Sequence, residues 1–169
     1  MNRFMIVVNP DKDTDSTVTN RIQSYLEAHG AACMVRDVFH LESSDWEALK
    51  KEQFDCVLVL GGDGTLLRMA GETEDIDIPL FGINLGTVGF LTEGEVANIE
   101  EILDRLLTDD FTIEERMMVT GTVTKADGTT YRKSALNDIV ISRAGFSRLI
   151  GLNVSVDGQV LDTYEADGV

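Results

Sequence analysis

Cys56-Val57-Leu58-Val59-Leu60-Gly61-Gly62-Asp63-Gly64-Thr65-Leu66-Leu67-Arg68-Met69 is the stretch that decides the fold. Residues 57–60 are apolar at every position, as expected of a strand covered on both faces in a parallel sheet. A glycine turn follows at once, and Leu66, Leu67, Arg68 and Met69 then continue in helical register. Upstream, an apolar run over 4–8 precedes Asp15 and Ser16, N-cap candidates for a helix with Val18, Ile22, Tyr25 and Leu26 on one face. Gly30 ends that helix. A second strand is predicted over 32–38, then a short helix near Trp46, then the strand over 56–60. Downstream, 79–83 reads as a strand entering a glycine-rich loop, and Ile99, Ile102, Leu103, Leu106 and Leu107 mark a helix ending near Asp109. This alternation predicts a doubly wound, Rossmann-like α/β domain over residues 1–109.

From about Phe111 the period changes to two: Val119, Gly121 and Val123 alternate with threonines. Ala126-Asp127-Gly128 and Val156-Asp157-Gly158-Gln159 are hairpin turn signals. Residues 110–169 are therefore expected to form the first part of a β-rich, sandwich-like domain. Ala166-Asp167-Gly168-Val169 reads as a turn entering a further strand, so the chain is expected to be cut short within that domain. An unpaired strand edge there predicts a homo-oligomer.

The chain has 169 residues, of which 43% are hydrophobic, enough for a substantial core. Thirty acidic residues against fourteen basic ones give a net charge of −16, which argues against nucleic-acid binding. No apolar run reaches the roughly 18 residues of a membrane span, and no signal-peptide pattern opens the chain. The expectation is a cytoplasmic protein without a membrane partner. Cys33 and Cys56 sit in apolar strand-like stretches and read as core thiols rather than metal ligands. His29 and His40 lie in no familiar catalytic pattern.

Three motifs carry chemistry. The first is the turn 61–65 at the carboxyl end of a buried strand, where open α/β sheets bind ligands and a helix N-terminus favours phosphate. Its glycines permit positive φ and close ligand approach, and Asp63 offers a carboxylate suited to a base. The competing reading is an ordinary turn in which Asp63 caps the next helix. The second is Phe81-Gly82-Ile83-Asn84-Leu85-Gly86-Thr87-Val88-Gly89-Phe90-Leu91-Thr92, a second glycine loop at a strand end. Phe90 there either packs on a base or fills the core. The third is Ser134-Ala135-Leu136-Asn137-Asp138-Ile139-Val140-Ile141, where a polar pair interrupts an apolar strand. Asn137 and Asp138 suit ribose hydroxyls or an amide, unless they simply turn the chain into a strand.

In this order, Gly-Gly-Asp-Gly-Thr, Asn-Leu-Gly-x-x-Gly-Phe, Leu-Asn-Asp and Tyr-x-Ala-Asp-Gly, the motifs resemble those of the NAD kinase family along nearly the whole chain. The first motif alone is shared with diacylglycerol kinases and phosphofructokinases. The resemblance implies phosphorylation of the adenosine-ribose 2′-hydroxyl of NAD, with ATP or polyphosphate as donor. It implies that Asp63 accepts the hydroxyl proton and that NAD is also contacted by Gly64, Arg68, Phe90, Asn137, Asp138, Arg148, Glu165 and Asp167. Asp138 stands where many members carry glutamate. An acidic chain with few phosphate-facing cations is expected to rely on backbone N–H groups and on Mg²⁺ held mainly by the donor's oxygens, with no metal site made by the protein alone. Two alternatives stay open: a diacylglycerol-type lipid kinase, and a nucleotide-binding module without catalysis. Against the lipid kinase stand Gly86-Thr87-Val88-Gly89-Phe90, where such kinases tend to show Gly-Thr-x-Asn-Asp, and the lack of a basic amphipathic surface.

Overall fold

The computed structural model of the chain describes residues 1–52, 54–87, 89–145 and 148–169. Five parallel strands form one sheet: β1 (Arg3–Val8), β2 (Ala32–Asp37), β3 (Cys56–Gly61), β4 (Leu80–Asn84) and β5 (Gly94–Glu95), in the order β2-β1-β3-β4-β5. The helices between them are α1 (Thr17–Ala28), α2 (Ser43–Glu52), α3 (Asp63–Glu72) and α4 (Ile99–Leu107). Because side chains alternate across a strand, β1 and β3 feed two cores. Phe4, Ile6, Leu58 and Leu60 face one side with Ile22 and Leu26 of α1 and Leu103 and Leu106 of α4. Met5, Val7, Val57 and Val59 face the other with Leu49 of α2 and Leu66 and Met69 of α3. The sheet is thus doubly wound, as the unbroken apolar run of β3 predicts. Cys56 is buried in the first core, and burial pushes its thiol up to about 12.

This winding creates the site. From β1 the chain passes through α1 to β2 on one side, then returns through α2 to β3 on the other. The loop after β1 leads to α1 on one face, and the loop after β3 leads to α3 on the opposite face. Diverging loops leave a crevice at the carboxyl ends of β1 and β3, the topological switch point where such sheets take ligands.

Two details of the first half differ from the sequence reading. The α1 N-terminus is not capped by Ser16, whose backbone is left-handed and whose side chain makes no cap bond. Buried Asp13 does that work instead, accepting the Val18 and Thr19 N–H groups and the Thr19 hydroxyl, while Asp15 accepts the Thr17 N–H. The second difference is β5, a two-residue strand too short to leave a periodic signal.

After α4 the described residues form two separate antiparallel hairpins rather than one sheet. The first is β6 (Val119–Thr124) with β7 (Thr130–Ala135), the second β8 (Ile150–Val156) with β9 (Gln159–Ala166). The second turn uses Asp157 and Gly158, both at positive φ, the backbone a two-residue hairpin requires. The first hairpin touches the α/β unit through α3: the Lys133 ammonium lies 3.6 Å from the Glu72 carboxylate. A β-carbon on Gly71 would lie 3.3 Å from the Ser134 carbonyl oxygen.

Candidate functional site

Backbone pairing carries three loops into the crevice together. The Asn9 N–H donates to the Leu60 carbonyl at 2.9 Å, and the Leu85 N–H donates to the Gly61 carbonyl at 2.8 Å. The segments after β1, β3 and β4 therefore lie side by side. Gly61 ends β3 with the first turn of α3 folded against it: a β-carbon there would stand 2.3 Å from the Thr65 Oγ1. The positive φ expected of this motif's glycines is not found, since the left-handed glycines are Gly30, Gly128, Gly145 and Gly158. Gly62 is extended, with φ −142° and ψ −171°. Space, not handedness, is what the motif needs. Nothing lies within 4 Å of a β-carbon built at Gly62 or Gly64, so both glycines leave backbone open towards the crevice.

Asp63 is the first residue of α3, yet α3 has no side-chain cap. Its carboxylate instead reaches across to the second glycine loop. Oδ2 accepts the Phe90 N–H at 2.8 Å, and Oδ1 accepts the N–H groups of Leu91 at 3.1 Å and Thr92 at 3.2 Å, with the Thr92 hydroxyl at 3.4 Å. Gly89 makes this possible, because a β-carbon there would fall 2.1 Å from Oδ1. The reading of Asp63 as a helix cap is thereby corrected: the carboxylate latches the two glycine motifs together. The Phe90 N–H, followed by those of Leu91 and Thr92, holds the Asp63 carboxyl below its ordinary 3.8. The same loop is fixed at its start by Asn84, a 7% exposed side chain that accepts the Gly86 N–H at 3.0 Å. Val88 of this motif lies outside the described residues.

Phe90 is fully exposed, so it does not fill the core; its N–H is held by Asp63. Arg68, exposed on α3, places its guanidinium 5.7 Å from the ring centroid of Phe39, itself 46% exposed just beyond β2. On the other wall, a β-carbon at Gly86 would lie 3.5 Å from the Lys12 ammonium. Sequence reasoning singled out neither Lys12 nor Phe39, and it quoted Asn84 only as part of the second glycine motif. The one signal for Lys12 was a lone cation in the acidic loop directly after the first strand.

The remaining residues named from sequence lie on the hairpin segments. Asn137, in a bend just beyond β7, and Asp138 directly after it are exposed and lie outside any strand. Residues 139–141 follow without strand structure; the backbone groups of Ile141 pair with Val169, and the Arg143 N–H with the Asp167 carbonyl. Asn137 thus lies at a bend of the chain, a place that Asn-Asp often takes. Arg148 is exposed before β8, and Glu165 is exposed on β9 opposite Gly151. The Asp167 carboxylate pairs with the Arg143 guanidinium at 3.0 Å, a partner that sequence reasoning missed. Asp63, Gly64, Phe90 and the loop tied by Asn84 therefore form one cluster. No hydrogen bond or ion pair among the described residues joins Asn137, Asp138, Arg148, Glu165 or Asp167 to Asp63; what links the two groups is the contact of β7 with α3.

Residues 4–111, from the first core strand through α4, match the family described as the ATP-NAD kinase N-terminal domain. The chain belongs to the NAD kinase family. Curated NAD kinases of Lachnoclostridium phytofermentans and Natranaerobius thermophilus are 40% and 38% identical to it, over 173 and 169 residues. These alignments cover 100% and 97% of this chain but 60% and 59% of the relatives, so the chain spans about three fifths of their length. Among solved structures, the crystal structure of yeast NADH kinase complexed with NADH is similar with a TM-score of 0.75 at 20% identity. That likeness covers 99% of this chain and 56% of the other, and it establishes a shared fold. Asp63, Gly64, Arg68 and Phe90 fall within the segment matched to the NAD kinase domain, whereas the hairpin residues lie beyond it.

Proposed function

We propose that this chain is part of an enzyme that phosphorylates the adenosine-ribose 2′-hydroxyl of NAD, with ATP or polyphosphate as donor. The observation that carries the reading is Asp63, a carboxylate fixed at the switch-point crevice between two glycine loops in a chain of the NAD kinase family. Phosphoryl transfer asks little covalent chemistry of the protein; it asks for positioning and charge neutralisation. Gly62 and Gly64 leave room for the sugar and phosphates to approach backbone, Asp63 accepts the 2′-hydroxyl proton, and Phe90 offers an exposed ring. Arg68, Asn137, Asp138, Arg148, Glu165 and Asp167 are proposed as further NAD contacts, the hairpin residues coming into reach as the ligand bridges from α3 to β7.

Among the described residues no group of three His, Cys, Asp or Glu side chains is placed to hold a metal ion. Mg²⁺ fits this site as a companion of the donor, held by phosphate oxygens, where it neutralises charge on the transferred group. No described helix is long and apolar enough to cross a membrane, and a cytoplasmic location and a homo-oligomeric state are kept as parts of the proposal.

The test is formation of NADP from NAD, Mg²⁺ and ATP or polyphosphate by this chain carried in a protein of its relatives' length. Wild type is expected to turn over, and Asp63→Asn to lose about 10²-fold or more in kcat with the fold kept. Absence of NADP from the wild type, or near-normal turnover by the variant, defeats the assignment. A second reading, a binding module without catalysis, is favoured for the 169-residue chain on its own by the exposed apolar side chains Val119, Val123, Val160, Leu161 and Tyr164 of its hairpins. Calorimetry finding NAD binding without turnover distinguishes it.

A further inference from the structure

Nothing within α3 calls for glycine at position 71. Gly71 lies in the last turn of the helix and is not among the left-handed glycines, so its backbone suits any residue. Glycine there weakens a helix relative to alanine. What the position lacks is room. A β-carbon on Gly71 would stand 3.3 Å from the Ser134 carbonyl oxygen of β7, closer than such atoms ordinarily come. That oxygen belongs to backbone and does not swing aside alone: Ser134 faces Thr120 in the β6–β7 ladder, their hydroxyls 2.9 Å apart. The helix is equally fixed. Leu66 and Met69 are buried in the second core, and the Thr73 hydroxyl donates to the Met69 carbonyl at 2.9 Å, closing the last turn. A side chain at position 71 therefore has to move the hairpin as a body.

A second contact between the same elements, Lys133 with Glu72 at 3.6 Å, is a surface pair of the kind that adds little. Overpacking costs more than such a pair returns, so the glycine rather than the ion pair sets how closely β7 approaches α3. The same helix begins at Asp63, about 12 Å along its axis from Gly71, and Asn137 and Asp138 follow Ser134 by three and four residues. The residues proposed to hold NAD thus divide between two units whose spacing is limited at Gly71. We propose that Gly71 is a positioning residue: its missing side chain lets β7 close onto α3 and so sets the span from Asp63 to Asn137 and Asp138 that NAD has to bridge. The assignment rests on the kinase reading for the identity of that ligand.

The test uses this chain carried in a protein of its relatives' length, with NAD binding followed by calorimetry and NADP formation by steady-state kinetics. Gly71→Ala and Gly71→Val both favour helix over glycine, so the melting temperature is expected to hold. The Kd and KM for NAD are expected to rise, about threefold in the first and about tenfold or more in the second, whose branched β-carbon crowds the carbonyl in every rotamer. KM for the phosphoryl donor is expected to change by less than about twofold, and Glu72→Gln to leave NAD binding as in the wild type. In amide ¹H–¹⁵N spectra, Gly71→Val is expected to shift residues 133–138 and to leave residues 90–92 in place. Unmoved amides at 133–138, wild-type affinity for NAD despite moved ones, donor and NAD KM rising together, or an equal loss in Glu72→Gln would each overturn the proposal. A wild type that neither binds nor phosphorylates NAD sinks the kinase reading and the assignment with it. A wild type that does both, with Gly71 variants that match it, sinks the assignment alone.

Discussion

Three backbone N–H groups on one carboxylate keep Asp63 ionised, and a carboxylate so held is a weak proton acceptor. As the proposed base it therefore offers position and permanent charge, not a pKa poised near neutrality. The sign of the linkage follows from the lowered folded value: the latch is fully present above the ordinary 3.8 and is lost as pH falls through the lower folded-state value. A ¹³C titration of the Asp63 carboxyl is expected to place its inflection below the ordinary 3.8; an inflection at or above 3.8 would mean that the latch is not formed in solution. The latch also binds two substitutions into one phenotype. Asp63→Asn puts an NH₂ group against N–H donors, and Gly89→Ala drives a methyl into Oδ1. Both are expected to speed amide hydrogen exchange at residues 90–92 by about tenfold or more while leaving β1 and β3 protected. Fast exchange in one variant and wild-type exchange in the other would separate the two roles and contradict the latch.

At the scale of elements, legibility followed locality. The strands β1 to β4 and the helices α1 and α4 were readable because each buries a face whose period is written in consecutive residues. β5 was not, because two residues carry no period, and the cap of α1 was missed because Asp13 acts from outside the expected cap positions. Asn137 and Asp138 were placed in a strand because apolar neighbours surround them, yet residues 136–140 belong to no strand and only from Ile141 onward does the backbone pair, with residues 167–169. The latch was beyond any local reading: Asp63 and Phe90 are 27 residues apart, and only the adjacency of β3 and β4 brings their loops together. The division of the chain into a packed sheet and two open hairpins makes a quantitative prediction. Leu103 of α4 is fully buried, so Leu103→Ala is expected to cost about 2–5 kcal/mol in urea denaturation. Val123 on β6 is 56% exposed, and Val123→Ala is expected to stay within about 0.5 kcal/mol. Equal costs would show that the hairpin valine is covered in solution.

At the scale of the molecule, charge and contacts divide the labour. The parallel sheet supplies the deep core, while apolar side chains such as Val140, Val160 and Leu161 on the later segments remain exposed in a chain spanning about 60% of a relative. Over the whole surface, thirty acidic groups oppose fourteen basic ones, and repulsion among the surplus opposes the compact state. Salt acts on two competing populations. It weakens exposed pairs such as Arg21 with Glu100 and Lys51 with Glu47, each worth about 0–1 kcal/mol. It also screens the unpaired surplus: raising ionic strength from about 0.01 M to about 0.1 M shortens the reach of a charge from about 30 Å to about 10 Å. The surplus of sixteen negative charges involves far more repulsive pairs than the few attractive ones, so relief of repulsion wins. The melting temperature at pH 7 is therefore expected to rise with added potassium chloride over that range, by several degrees. A fall would mean that the surface ion pairs, and not the net charge, set the electrostatic part of this protein's stability.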